Sequence, residues 1–308
     1  MWRVTATTLV IFAGVAAAQN APTTWTGVGG NPPTYSQRAL SAVPNAAAVR
    51  QRFWSPRLAD GWVPQGVAAG GGYLWVAAYQ STDPKQSRGP CRVFQLDPGN
   101  GAVAGQFDLP AACGHAGGIT HNGDRILYVA DGRALWRIDT QAALAAGRCV
   151  DMGCSSTSLK GALRADWLAY RDGMLWLGAY RKAAAETALA WRIPESGVMA
   201  QIVTGGGALD AKAADRTIAI AAQSQGAAVA PDGSLWITQS SGNFGRLQHV
   251  DSTSGNVIAE FAMAAGIEDI EFGPDGQLWA VSEAGSRRWN TLPTFYPLVF
   301  SIDVGALR

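Results

Sequence analysis

One histidine, three carboxylates and two amides are the side chains of this sequence best suited to shared chemistry: His115, Asp166, Glu268, Asp269, Gln65 and Gln225. Brought together, Asp166, Glu268 and Asp269 with the two amide oxygens would make an oxygen-rich set suited to Ca2+ or Mg2+. Carboxylates at close range raise one another's pKa, and a cation relieves that repulsion. His115 and Glu268 are the candidates for catalysis, with the imidazole as general base and a carboxylate as its partner. Used for binding alone, the same groups would hold a polar ligand, or would plug a channel through water and side-chain hydrogen bonds. They are far apart in sequence, so their association depends on the elements that carry them.

Those elements repeat. Five short apolar strands contain the triplets Leu74-Trp75-Val76, Leu127-Tyr128-Val129, Leu175-Trp176-Leu177, Leu235-Trp236-Ile237 and Leu278-Trp279-Ala280, whose aromatic members lie 43 to 60 residues apart. A period of this length with several short strands per unit is the signature of a β-propeller. Each repeat reads as four strands, so the chain is expected to be all-β, a single propeller of five four-stranded blades over residues 47–308. The dipeptides Asp172-Gly173, Asp232-Gly233 and Asp275-Gly276 read as tight hairpins between first and second strands. The fifth repeat stops after its third strand, and one strand-like segment, Val49 to Trp54, precedes the first repeat. Pairing of that segment with Leu298 to Asp303 is expected to close the ring and remove an exposed edge. A sixth blade, the alternative, would have to fit between Glu195 and Ser224, which is short and poorly patterned. Alternation makes both faces of the triplet strands apolar, so Trp75, Trp176, Trp236 and Trp279 are expected to pack between blades.

Aligning the repeats on their triplets places Gln65, Gly117, Asp166, Gln225 and Glu268 at the start of the innermost strand. His115 stands two residues before Gly117, and Asp269 follows Glu268. The ends of the second strands hold Tyr79, Gly132, Tyr180, Ser240 and Glu283. In a propeller these two sets converge at one mouth of the central channel. The expected ligand-binding set is therefore Gln65, Tyr79, His115, Asp166, Tyr180, Gln225 and Glu283, and the expected metal set is Asp166, Glu268 and Asp269. Loops 80–90, 181–188 and 283–297 would wall the site and supply Arg181, Arg287 and Arg288 for an anionic ligand. His121 is expected at the surface and His249 on a solvated face. No Gly-x-Ser-x-Gly elbow occurs.

Residues 1–18 read as a secretory signal, with Arg3, an apolar run from Leu9 to Val15 and Ala16-Ala17-Ala18 before Gln19. Residues 19–46 are rich in Pro, Gly, Asn, Thr and Ala, and read as a flexible leader. A secreted or periplasmic location fits the four cysteines, for which the expected disulfides are Cys91 with Cys113 and Cys149 with Cys154. The net charge of +1 with interspersed signs makes nucleic acid and anionic membranes poor partners, and no later segment is long and apolar enough to insert. A monomer that binds a small molecule or glycan is expected.

The repeat, with Pro231 to Trp236 and Pro274 to Trp279 as two nearly identical "Pro-Asp-Gly-x-Leu-Trp" copies, resembles the broad group of exported propellers that includes the NHL, virginiamycin B lyase and gluconolactonase types. The gluconolactonase type implies a divalent-metal lactonase with a metal-binding Glu opening the first inner strand, where this chain has Gln65, and an Asn at the second, where it has Gly117 or Gly118. The lyase type implies a His/Glu/His set with Mg2+, of which Glu268 matches the Glu. The string His115-Ala116-Gly117-Gly118 with Ser282 to Ser286 is similar to secreted bacterial propellers of uncharacterised activity. Two functions follow: an exported propeller that binds a small polar ligand or divalent cation at its channel mouth, or a metal-assisted hydrolase or lyase using the same site.

Overall fold

The computed structural model describes residues 27–150, 153–204 and 207–308, so the signal-like segment 1–18 lies outside the described residues. Among the described residues, twenty strands form five antiparallel sheets of four. A first strand, β1 (Val49–Trp54), precedes the blades. Blade one is β2 (Trp62–Gly70), β3 (Tyr73–Gln80), β4 (Cys91–Leu96) and β5 (Val103–Asp108). Blade two is β6 (Gly118–His121), β7 (Ile126–Asp131), β8 (Ala134–Asp139) and β9 (Cys154–Ser158). Blade three is β10 (Trp167–Arg171), β11 (Met174–Gly178), β12 (Thr187–Pro194) and β13 (Arg216–Ala221). Blade four is β14 (Ser224–Val229), β15 (Leu235–Ser241), β16 (Phe244–Val250) and β17 (Val257–Met263). Blade five is β18 (Ile267–Phe272), β19 (Leu278–Ser282) and β20 (Leu298–Ile302), with β1 hydrogen-bonded to β20 as its outermost strand.

The innermost strands touch one another in cyclic order, β2 to β6, β10, β14, β18 and back to β2. The triplet aromatics pack between blades as their alternation requires: Trp75, Trp176 and Trp279 are 2% exposed and Trp236 8%. Segment 195–223 holds a helix, α2 (Glu195–Thr204), and the outer strand of blade three. A shorter helix, α1 (Thr140–Ala146), links β8 to β9, with the Asp139 carboxylate accepting from the Gln141 and Ala142 N–H groups as its cap. Neither helix was legible as such in the repeat pattern.

Residues 27–46, read from composition as leader, are held against blade five. The Tyr35 hydroxyl donates to Gly285 O (2.7 Å), and Arg38 donates to the carbonyls of Asn290, Leu292 and Pro293. Ser41 exchanges two hydrogen bonds with Phe295. Composition overlooked this because the segment has no strand or helix periodicity. Its order comes from side chains meeting loop carbonyls, contacts without a sequence period. His121 is also corrected: it is 5% exposed and stacked at 6.2 Å on Trp75 of the preceding blade.

Close approach of inner strands fixes certain glycines. A Cβ on Gly226 would lie 2.3 Å from Asp269 Cα and 2.6 Å from its Oδ1, so the neighbouring backbone would have to move. Gly226→Ala is therefore expected to cost several kcal/mol, in the range of other overpacked core positions. Gly197→Ala in α2, where the added Cβ meets nothing closer than 4.0 Å, is expected to be neutral or slightly stabilising. Chemical denaturation of both variants checks this, and equal midpoints would refute the close-approach argument.

Candidate functional site

At the end of the channel where the inner strands begin lies a cavity of about 360 Å³. Its lining includes Gln65, His115, Asp166, Tyr180, Gln225, Glu268 and Glu283, which come from all five blades. The device that turns several of them inward is a recurrent irregularity of the innermost strand. In β2 the register against β3 shifts between Pro64 and Gly66, leaving Gln65 as the extra residue; in β14 it shifts between Ser224 and Gly226, leaving Gln225. In β18 it shifts between Ile267 and Ile270, which frees Glu268 and Asp269 from regular pairing. A bulge re-aims a side chain that a regular strand would send into the packed interface.

Glu283 and Glu268 form the acidic centre. Glu283 Oε2 accepts from Gln65 Nε2 (2.9 Å) and from the Trp289 indole (2.7 Å). Burial pushes its pKa up to about 7 despite these two donors and the nearby Arg288 guanidinium. Glu268 is 3% exposed and accepts from Gln225 Nε2 at 3.2 Å. Burial, then the charges of Glu283 and Asp269, hold its pKa well above the usual carboxylate range. Asp166 accepts from the Tyr180 N–H (2.7 Å), and burial raises its pKa also, opposed by Arg164, Arg181 and Arg133.

His115 is positioned by groups the sequence reading left out. Its Nδ1 lies 2.7 Å from Ser87 O, and a carbonyl can only accept, so Nδ1 carries the hydrogen and Nε2 is left as an acceptor in the neutral ring. Burial lowers its pKa, which favours that neutral ring. Asp131, 6% exposed, ties down the loop beneath it: Oδ1 accepts from the His115 and Ala116 N–H groups, and Oδ2 from the Gly114 N–H and Arg88. Ala116 has φ +54°, a left-handed conformation that these bonds enforce.

Several expected members fall outside the cavity. Tyr79 is fully buried behind it, stacked on His115 with ring centroids 4.8 Å apart, its hydroxyl accepting from Arg288. Asp269 lies deeper in the channel, where its Oδ2 accepts from the Ile119 N–H across the axis (2.9 Å) and its Oδ1 is buried without a hydrogen-bond partner. Arg287 is exposed and bonded to Ala59 O, and Arg181 donates to Tyr180 O, so of the three arginines only Arg288 lines the cavity. Arg288 is 6% exposed and spends its donors on Asp83 O, Pro84 O and Tyr79, with its guanidinium 4.2 Å from the Trp289 ring centre. Ser87, Arg88, Asp131 and Trp289 are lining residues that the register alignment missed. Asp131 directly precedes the aligned Gly132. Ser87, Arg88 and Trp289 sit on loops 80–90 and 283–297, expected to wall the site, but no period sets which of their residues reach it.

Among the described residues no three His, Cys, Asp or Glu side chains gather to hold a metal ion, and Asp269 faces the channel interior. His249 stays out of the cavity, stacked at 4.7 Å on Trp236 with Nε2 2.8 Å from Ser234 Oγ. Cys149 and Cys154 form a disulfide with Cα atoms 5.3 Å apart. Cys91 and Cys113, expected as a second disulfide, are instead two buried free thiols whose sulfurs lie 2.7 Å apart.

No family model matches the chain, and no curated protein matches it in sequence. Solved structures do match in shape. The glutaminyl cyclase of Myxococcus xanthus superposes with a TM-score of 0.50 at 12% identity, over 83% of this chain and 94% of that one. A candidate gluconolactonase gives 0.43 at 17% identity, over 73% of this chain and 74% of that one. Virginiamycin B lyase from Staphylococcus aureus gives 0.36 at 15% identity, over 75% and 67%. The chain is a five-bladed β-propeller. At these identities the likeness is one of architecture, and function has to be argued from the cavity itself. Among the described residues no helix is long and apolar enough to cross a membrane.

Proposed function

We propose that the channel-mouth cavity binds a small cationic ligand rich in hydrogen-bond donors, an amine or amino sugar. The observation that carries this reading is the direction in which the polar groups are already used. Gln65 spends both amide hydrogens, on Pro64 O and Glu283, which leaves only its carbonyl oxygen to offer. His115 offers Nε2, and Glu283, Glu268 and Asp166 offer carboxylate oxygens. The two arginines in the lining are engaged, Arg88 on Asp131 and Arg288 on carbonyls and Tyr79. The cavity therefore asks for a donor, and an ammonium group between Glu268 and Glu283 would relieve the repulsion that raises the Glu268 pKa.

The test is calorimetry with putrescine, ethanolamine and glucosamine, against glycerol and acetate as neutral and anionic controls. Amines are expected to bind more tightly as pH rises through about 7, where Glu283 ionises. Glu283→Gln should weaken them at least tenfold and remove that pH dependence. Equal binding of acetate, or an unchanged affinity in the variant, would refute the reading.

One observation favours a second, catalytic use of the same site. A carboxyl titrating near 7 is suited to exchange a proton with substrate at neutral pH, and His115 Nε2 could take the complementary part. The hydrolase or lyase expected from sequence would then run by acid–base chemistry. Its rate would follow one ionisation near 7 and be lost in Glu283→Gln.

A further inference from the structure

The cavity has a second face. Residues 87–90 and 113–116 form one wall of it, presenting Ser87, Arg88 and His115 inward. On the other side of the same wall lies a separate groove of about 730 Å³, lined by Arg88, Cys91, Cys113 and Gly114 among others. The wall is two chain segments laid together: the Gly89 N–H donates to Gly114 O (2.8 Å), and His115 Nδ1 donates to Ser87 O. Within this partition the sulfurs of Cys91 and Cys113 are 2.7 Å apart, each residue 2% exposed. Cys91 is the register partner of Tyr79, the ring stacked under His115, and Cys113 stands two residues before His115.

We propose that Cys91 and Cys113 are a redox-responsive staple that sets the wall of the ligand cavity, reached by thiols and disulfides through the outer groove. Oxidation joins the two segments covalently and holds the His115 ring on Tyr79. Reduction leaves the wall to the Asp131 hydrogen bonds and lets it open. In the oxidising step the two thiols lose two protons and two electrons and one S–S bond forms. The electrons reduce the disulfide of an exported dithiol oxidant, or of a small-molecule disulfide, to two thiols. In the reverse step an external thiolate attacks one sulfur from the groove and the other cysteine leaves as thiolate, then a second external thiolate resolves the mixed disulfide, freeing the second cysteine and releasing an external disulfide. The register explains why this pair reaches the site: Cys149 and Cys154 close their own short loop and line neither cavity.

That the staple regulates binding rests on the ligand reading above, so the test reads wall and ligand separately. The purified chain is equilibrated in glutathione buffers of graded redox poise and quenched by alkylation. The Cys91 and Cys113 peptides are then mapped, and amide hydrogen exchange is followed in both end states. Reduction is expected to speed exchange of residues 113–116 at least tenfold, leave the inner strands unchanged, and weaken putrescine binding at least fivefold. The Cys113→Ala variant should behave as the reduced chain in either buffer. Reduced wild-type chain supplies the same comparison should that variant fail to fold. Equal exchange in the two states, a bond that opens only when the whole chain unfolds, or equal putrescine affinity in both states would overturn the proposal. Redox-dependent exchange with no putrescine binding in either state would leave the staple standing and remove the ligand reading.

Discussion

Removal of residues 19–55 is expected to lower the melting temperature by roughly 10–20 °C, or to leave the chain insoluble. The deletion takes away β1, whose residues Val49, Arg52, Phe53 and Trp54 pair with Ile302, Phe300, Val299 and Leu298 of β20. Phe53 is 4% exposed and stacks on Trp279 at 5.8 Å, and Val49 is 8% exposed. Burying such side chains is worth about 1.5–3 kcal/mol each. Each ladder hydrogen bond adds about 1 kcal/mol. The sum is on the order of 5–10 kcal/mol, comparable with the whole stability of a typical domain. For a domain of this size 1 kcal/mol shifts the midpoint by about 2 °C or somewhat more. Loss of β1 would also bare the edge of β20, an aggregation hazard. Removing only 19–46 keeps the strand but takes Tyr35, Arg38 and Ser41 off the loop that carries Arg288 and Trp289. That shorter deletion should cost less stability yet loosen the cavity. Scanning calorimetry of the two truncations decides the matter, and a melting temperature for the longer deletion equal to that of the full chain would contradict it.

Replacing Glu283 by Gln is expected to stabilise the protein at pH 8 while weakening the proposed amine binding at least tenfold. Burial raises the folded-state pKa of Glu283 to about 7 from an ordinary 4.5. Between those values the folded chain holds a proton that the unfolded chain releases, so unfolding becomes easier as pH rises from about 4.5 to about 7. Above that window the full penalty applies, on the order of 3 kcal/mol at 1.36 kcal/mol per pH unit. Below about pH 4.5 the carboxyl is protonated in both states, and the penalty is absent. Glu283→Gln keeps an oxygen to accept from Gln65 or Trp289 and never ionises. Its melting temperature should match that of the wild type at pH 4 and exceed it by several degrees at pH 8. Thermal unfolding at the two pH values checks this, and a variant less stable at pH 8 would show that the ionised Glu283 is a net support of the fold.

The blade count, the strands and the mouth of the channel were legible because they rest on local periods. A strand buried on both faces must alternate apolar groups such as Leu74, Trp75 and Val76, and five copies of that alternation number the blades. Equivalent register then carries Gln65, Asp166, Gln225, Glu268, Tyr180 and Glu283 to one ring, because every repeat enters the channel in the same sense. What only the tertiary structure decided is how far each side chain reaches along the axis. Glu268 and Asp269 are consecutive in a β18 whose register against β19 shifts between Ile267 and Ile270, so one faces the cavity while the other turns to the Ile119 N–H deep in the channel. No alignment on the triplets separates them. Nor could a period announce Arg88, Trp289 or the Tyr35 and Arg38 contacts. These depend on irregular loops closing over the mouth, and loop paths are set by hydrogen bonds to carbonyls that every sequence possesses. Strand alternation belongs to the sequence because it is a property of neighbours in the chain. The site's final membership belongs to the fold because it is a property of neighbours in space.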